Sequence, residues 1–281
     1  MINKLAENER YLVHRHKELE IANPDRCLGI GNNALMSDHD DALRYAEGAG
    51  QILLALRASS TTTGRSLALG DHGDVNANIY LLDQIANDHP SDCVLSEESA
   101  DTSARLDADR VWIIDPLDGT REFSEPGRSD WAVHVALWER DRGLTAGAVT
   151  LPALSQGYVT NPPSVVPSDP DRPRRVVVSR SRPPAAARRV ADAIDAEVVT
   201  LGSAGAKVMA VVSGLVDAYV HTGGQYEWDS AAPIAVAAAA GLHTSRVDGS
   251  PMLYNRPDPW LPDLIVCRPE FAERALKAIN F

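Results

Sequence analysis

The sequence predicts a mixed α/β protein of the α+β kind. Three observations carry that expectation. First, short β-rich apolar runs end in acids, Cys93-Val94-Leu95 before Ser96-Glu97-Glu98-Ser99 and Val111 to Ile114 before Asp115. Second, Trp131, Val133, Val135 and Leu137 alternate with the other face, the pattern of a central antiparallel strand. Third, strands and helices alternate beyond residue 175, which suggests a partly parallel layer.

The elements follow in order. In residues 1–36, Ile2, Leu5, Leu12 and Leu19 recur at roughly heptad spacing, but Glu9 and His16 interrupt the seam and Asn23-Pro24 follows. That segment reads as a poorly ordered extension, or as chain upstream of a start at Met36. A first half, 37–160, opens with a helix capped by Ser37 or Asp38, with Leu43, Ala46, Ala49, Leu53 and Leu54 on its apolar face. After the polar loop SSTTTG, a second helix is expected from Asp74 to about Asn87, with Val75, Ile79, Leu82 and Ile85 in helical register. The strand from Val111 is expected to stop at Pro116, which removes a donor. Leu144 to Leu151 and Gly157 to Thr160 read as further strands. Residues 161–175 carry five prolines and read as a linker or long loop. The second half, 176–281, reads as strand Arg175–Ser179, helix Pro183–Ile194, strand Val198–Leu201, helix Ala204–Leu215 and strand Asp217–His221. It closes with an Ala-rich helix Ser230–Ala240, strand Leu264–Cys267 and helix Glu270–Ile279.

Composition narrows the function. The net charge of −12, with no basic stripe, argues against nucleic-acid polymers as partners. No apolar run reaches the roughly 20 residues of a membrane span. Three scattered cysteines, Cys27, Cys93 and Cys267, form no CxxC pair and fit a reducing compartment, so a cytoplasmic setting is expected.

The stretch Val111 to Phe123, VWIIDPLDGTREF, puts two carboxylates and a hydroxyl, Asp115, Asp118 and Thr120, at the mouth of a strand. Hard cations such as Mg²⁺ take oxygen ligands of this kind. The plain alternative is a strand corner with two solvated acids. Taken singly, Asp74 and Asp229 read as helix caps, His134 as a core histidine and Lys207 as a helix-surface lysine.

Together, SEES, DPLDGT and EWDSAAP resemble the magnesium-dependent, lithium-sensitive inositol monophosphatase-like superfamily, over about residues 37 to 281. The resemblance implies a layered α-β-α-β-α sandwich. It implies two or three Mg²⁺ ions held by Glu97, Asp115, Asp118, Asp229 and the carbonyl of Leu117. It further implies that Thr120, oriented by Asp74, positions and deprotonates the attacking water, with Glu98 as a supporting acid. Bound cations would also reconcile an acidic protein with an anionic substrate. Backbone N–H groups of Gly119 and Thr120 would hold phosphate oxygens. GTREF, EWDSAAP and Asp248 to Asn255 resemble the CysQ-type 3′(2′),5′-bisphosphate nucleotidases, which act on 3′-phosphoadenosine 5′-phosphate in sulfate assimilation. In that scheme Arg121 meets the second phosphate, or else pairs with Glu122 or Glu125. Ser203 and Ala204 then lie where the family contacts the leaving group. Two departures stand out: Leu253 before Tyr254, and Arg65 with no lysine in the loop before Asp74. Inositol 1-phosphate and fructose 1,6-bisphosphate are the alternative substrates, and a non-catalytic phosphate-binding relative the alternative of another class. A homodimer accords with the resemblance but is not required by composition.

Overall fold

A computed structural model describes residues 36–60, 64–169 and 171–280. The expectation for residues 1–35 and the middle of the SSTTTG loop lie outside the described residues. Helix α1 (Asp38–Ser59) starts at Ser37, whose side chain and backbone exchange hydrogen bonds with Asp40 in a capping box. Helix α2 (Leu67–Asp88) begins seven residues before the expected start at Asp74. Ser66 caps it by accepting from the Leu69 N–H, so Asp74 lies inside the helix rather than at its cap. Of the four apolar residues in helical register, Ile85 is buried and Leu82 packs against the core. Val75 and Ile79 are exposed, and Gly73, Asp74, Ala77, Asn78 and Leu81 are buried instead.

The first sheet runs β1-β2-β3-β4-β5, formed by Cys93–Ser96, Arg110–Asp118, Ala132–Glu139, Gly143–Leu151 and Gln156–Val159. The pair β1 and β2 is parallel, and the remaining pairs are antiparallel. Strand β2 continues past Pro116 to Asp118, against expectation, because the ladder to β3 slips between Asp115 and Asp118 and no hydrogen bond is asked of the proline. The short helix α3 (Thr120–Phe123) follows. No helix or strand forms in the described residues of 161–173.

The second sheet contains β6 (Arg174–Ser179), β7 (Ala196–Leu201), β8 (Ala218–His221), β10 (His243–Ser245) and β12 (Leu264–Cys267), in the order β10-β12-β8-β6-β7. It is partly parallel, as expected: β6 pairs β7 and β8 in parallel, and β12 is antiparallel. A ribbon of β9 (Gln225–Tyr226) and β11 (Trp260–Leu261) stands apart. The helices here are α4 (Ala185–Ile194), α5 (Ala204–Val212), α6 (Glu227–Ala239) and α7 (Pro269–Asn280).

Alternation along the strands sorts the side chains into layers. Trp112 and Ile114 pack under α1 and α2 with Tyr45, Leu53 and Leu81. Val111 and Ile113 face the other way, onto Val208, Met209, Ala231 and Ala232 of α5 and α6. The same two helices cover Val177, Tyr219 and Val266 of the second sheet. Val176, Val178 and Ile265 then pack on Val190 and Phe271 of α4 and α7. The result is an α-β-α-β-α sandwich whose middle layer serves both sheets. Among the described residues no helix is long and apolar enough to cross a membrane.

One buried polar knot sets the first turn of α6 against the loop after β1. Arg105, 1% exposed, donates to Asp101 at 2.7 and 2.9 Å, to Asn255 Oδ1 at 2.7 Å and to the Arg256 carbonyl at 2.8 Å. Glu227, fully buried, accepts the Asn255 and Arg256 N–H groups at 2.7 and 2.8 Å. Removing one partner from such a set leaves the others unsatisfied, so Arg105→Met is expected to cost about 3 kcal/mol or more. Urea unfolding measures it; an unchanged midpoint would exclude a structural role for the knot.

Candidate active site

Two parallel strands end at the same edge of a sheet, and that places the first acids. Ser96 pairs with Ile114, so Glu97 and Asp115 emerge side by side. Residues three apart on a regular strand point to opposite faces. The slip between Asp115 and Asp118 cancels that divergence. Asp229, in the first turn of α6, approaches from the other half of the chain. Oxygens of Asp115, Asp118 and Asp229 thus come within 4.8 Å of one another. Glu97 opens onto the cleft beside this triad, close enough to perturb it electrostatically.

Each acid is held by an identifiable partner. Asp118 Oδ2 accepts from Ser203 Oγ at 2.5 Å and from the Gly205 N–H at 2.6 Å. Its Oδ1 accepts from the Ala204 N–H at 3.0 Å, so the start of α5 grips this carboxylate. Asp229 Oδ2 accepts from the Tyr226 N–H at 2.6 Å. Asp115 Oδ1 accepts from the Leu117 N–H at 3.1 Å, while its buried Oδ2 has no partner. An orphaned carboxylate oxygen inside a triad of hard oxygens fits a divalent cation.

The charges bear out that fit. Burial, then repulsion from Glu97, Asp118 and Asp229, pushes Asp115 well above the usual carboxylate range. Burial and the Asp229 and Asp74 charges raise Glu97 to about 8. Burial and Asp118 raise Asp229 to about 6. For Asp118 burial also raises, but His134, Lys207 and Ser203 outweigh it and hold the group at about 2.

Beside the triad lies the pair expected to handle water. Thr120 Oγ1 is 3.3 Å from Asp74 Oδ1 and 3.3 Å from the Leu117 carbonyl, and its single hydrogen serves one at a time. Asp74 is buried within α2 and raised to about 7 by burial and then by Glu98. The Glu98 side chain is exposed, and its N–H donates to Ser96 Oγ. Gly119 makes the turn with φ of +90°. A Cβ there would also meet Ser203 Cβ at 3.1 Å, so glycine is required on both counts.

Asp118 and Asp229 of the triad line a cleft of 810 Å³ together with Glu97, Gly119, Arg121, Arg182, Ser203 and Ala204. Arg121 is half-exposed and 3.7 Å from Glu125, whereas Glu122 is buried and taken by Arg180 at 2.6 Å. Lys207 is not on the surface, as its position on a helix had suggested. It is buried, its Nζ donating to the Gly202 and Ser203 carbonyls, because α5 is covered by both sheets. His134 is fully buried as expected. It also touches the site, Nδ1 lying 3.1 Å from the Trp228 carbonyl and Nε2 3.2 Å from Asp118. Its only sequence signal is a lone polar residue on a strand register shared with Asp115. Arg180 and Arg182 carried no signal beyond charge.

A model of the inositol monophosphatase family matches residues 46–280, and the chain belongs to that family. The 3′-phosphoadenosine 5′-phosphate phosphatase of Mycobacterium bovis is 51% identical over 238 residues, spanning 82% of this chain and 89% of the relative. The 3′(2′),5′-bisphosphate nucleotidase CysQ of Escherichia coli is 29% identical over 192 residues, spanning 64% and 77%. The crystal structure of CysQ from Bacteroides thetaiotaomicron, a bacterial member of the same family, is similar with a TM-score of 0.68 at 25% identity, covering 84% of this chain and 99% of that one.

Two outcomes follow from the crowded acids. Carboxyls raised in the folded state bind more protons there than when unfolded. The metal-free protein should therefore lose stability as pH rises from about 4 to about 8, the interval between the unfolded values and those of Asp229, Asp74 and Glu97. Added Mg²⁺ should flatten that slope in thermal melts; a metal-free protein that gains stability over this range would contradict the assignment. Asp115→Asn removes a carboxyl whose ionisation burial and the neighbouring acids oppose, so it should raise metal-free stability by about 1 kcal/mol while abolishing Mn²⁺ binding measured by electron paramagnetic resonance. Retained Mn²⁺ binding would remove Asp115 from the ligand set.

Proposed function

We propose that the protein is a Mg²⁺-dependent phosphomonoesterase that removes the 3′-phosphate of 3′-phosphoadenosine 5′-phosphate, giving AMP and phosphate. The observation that carries the chemistry is the Asp115, Asp118 and Asp229 triad, two of whose members line a cleft, with the hydrogen-bonded Thr120–Asp74 pair beside it, Thr120 following Asp118 and Gly119 in the chain. The choice of ester is supported by the 51% identical relative of that name.

Glu97, Asp115, Asp118, Asp229 and the Leu117 carbonyl would hold two or three Mg²⁺ ions. The ions, when bound, supply Lewis-acid polarisation of the phosphoryl group and a lowered pKa for water. The chain does the rest. Thr120 accepts a hydrogen bond from the attacking water and donates to Asp74. Asp74, which burial and then the Glu98 charge raise in the metal-free protein, is the group placed to take up the proton through Thr120. The water oxygen bonds to phosphorus as its proton passes through Thr120 to Asp74, the bond from phosphorus to the 3′ oxygen breaks, and the 3′ oxygen takes a proton from solvent. The backbone of Gly119 and Thr120 borders the phosphate, Ser203 and Ala204 border the leaving nucleoside, and Arg121 is the cation for the second phosphate. A cytoplasmic setting in sulfate assimilation completes the reading, supported by Cys93 and Cys267 remaining free thiols.

Phosphate release from 3′-phosphoadenosine 5′-phosphate should exceed that from inositol 1-phosphate and stop when Mg²⁺ is chelated. Equal rates would overturn the choice of substrate. Release without metal would overturn the mechanism.

A further inference from the structure

The cleft has a charged end and an aromatic end. Tyr226 and Trp260 are 46% and 49% exposed, although each lines the same cleft as Glu97, Asp118 and Asp229. They are cross-strand partners in the β9–β11 ribbon. Neither is a loose surface side chain. The Gly224 N–H donates to the Pro262 carbonyl at 3.0 Å, and the Glu227 N–H to the Pro259 carbonyl at 2.8 Å, so the ribbon is tied at both ends. The Trp260 indole rests on Gly224, where a Cβ would come 2.9 Å from Nε1 and where φ is +76°. The Tyr226 ring stacks on Trp228, with centroids 4.7 Å apart and planes 12° from parallel. Each ring thus packs on protein while about half of the residue stays exposed.

Large aromatic rings held rigid yet half-exposed form a surface for stacking another flat ring. The ribbon is also joined to the triad, since the Tyr226 N–H binds Asp229. A ring stacked there would belong to the molecule whose phosphate sits among the acids. Inositol and sugars have no π-face to offer, whereas a nucleobase does. We propose that Tyr226 and Trp260 form a nucleobase platform that makes the cleft select nucleotides over base-free phosphate esters. This rests on the reading of the cleft as that of a nucleotide phosphatase.

The test measures binding and turnover separately. Calorimetry would compare AMP with ribose 5-phosphate, which keeps the 5′-phosphate and lacks the base, on the Mg²⁺-loaded protein. Trp260→Ala should weaken AMP binding about 10-fold, the scale of one base–aromatic stack, and leave ribose 5-phosphate unchanged. Tyr226→Ala should act in the same direction, and Trp260→Phe should restore most of the loss. In turnover of 3′-phosphoadenosine 5′-phosphate the loss should appear in KM rather than kcat. Equal losses for AMP and ribose 5-phosphate, or none for either, would overturn the platform. If the wild type turns over the bisphosphate and Trp260→Ala does so equally well, the reaction stands and the platform falls. If the wild type prefers AMP through Trp260 but releases no phosphate, the platform stands and the reaction falls.

Discussion

Three aspartates from distant parts of the chain hold ligand oxygens within 4.8 Å of one another in a mostly buried place, and like charges at that spacing repel. Nothing local would keep them there. They stay because each is fixed by an element whose position is decided elsewhere. Asp115 and Asp118 belong to a strand buried on both faces, and Asp229 to a helix packed between two sheets. The hydrophobic layers, which hold the frame, supply the free energy that the acid cluster lacks. A cation bound there would turn the same repulsion into affinity.

The seam between the two sheets carries the polar contacts that set the geometry. Asp118 is gripped by the start of α5, and the Gly202 N–H donates to Asp130 at 2.5 Å. Arg180 reaches across from the end of β6 to Glu122. These contacts are buried or nearly so, where a misplaced partner costs more than on the surface. They position Ser203 and Ala204 along the same wall of the cleft as Gly119 and Arg121. Glu122 is structural in this arrangement, which separates it from Arg121, its neighbour in the same short helix.

What could be read in advance follows a physical pattern. The strand ends with Glu97, Asp115 and Asp118 were legible because an apolar run, acids and a Gly turn are adjacent in the chain. The beginning of α2 was not. Gly70 and Gly73 dilute the helical signal there, and the capping Ser66 sits in a stretch that reads as loop. Val75 and Ile79 share a helical register with Ile85 in the sequence, but the helix turns Gly73, Asp74 and Ala77 inward, and Asp74 reaches Thr120. Pro116 was taken to end β2, and the bulge that accommodates it depends on the register of β3.

By itself the sequence determined most strand and helix types and the mixed α/β class, because these depend on local spacing and residue chemistry, while the layered sandwich and the set of acids were what the resemblance of SEES, DPLDGT and EWDSAAP implied. The tertiary structure decided what depends on contacts between distant segments. It brought Asp229 to Asp115 and Asp118, set Asp74 against Thr120, and buried Lys207 between two sheets. It also put Tyr226 and Trp260 on one ribbon that lines the same cleft. Their separation in the chain conceals that proximity, since burial and electrostatic environment are properties of neighbours in space.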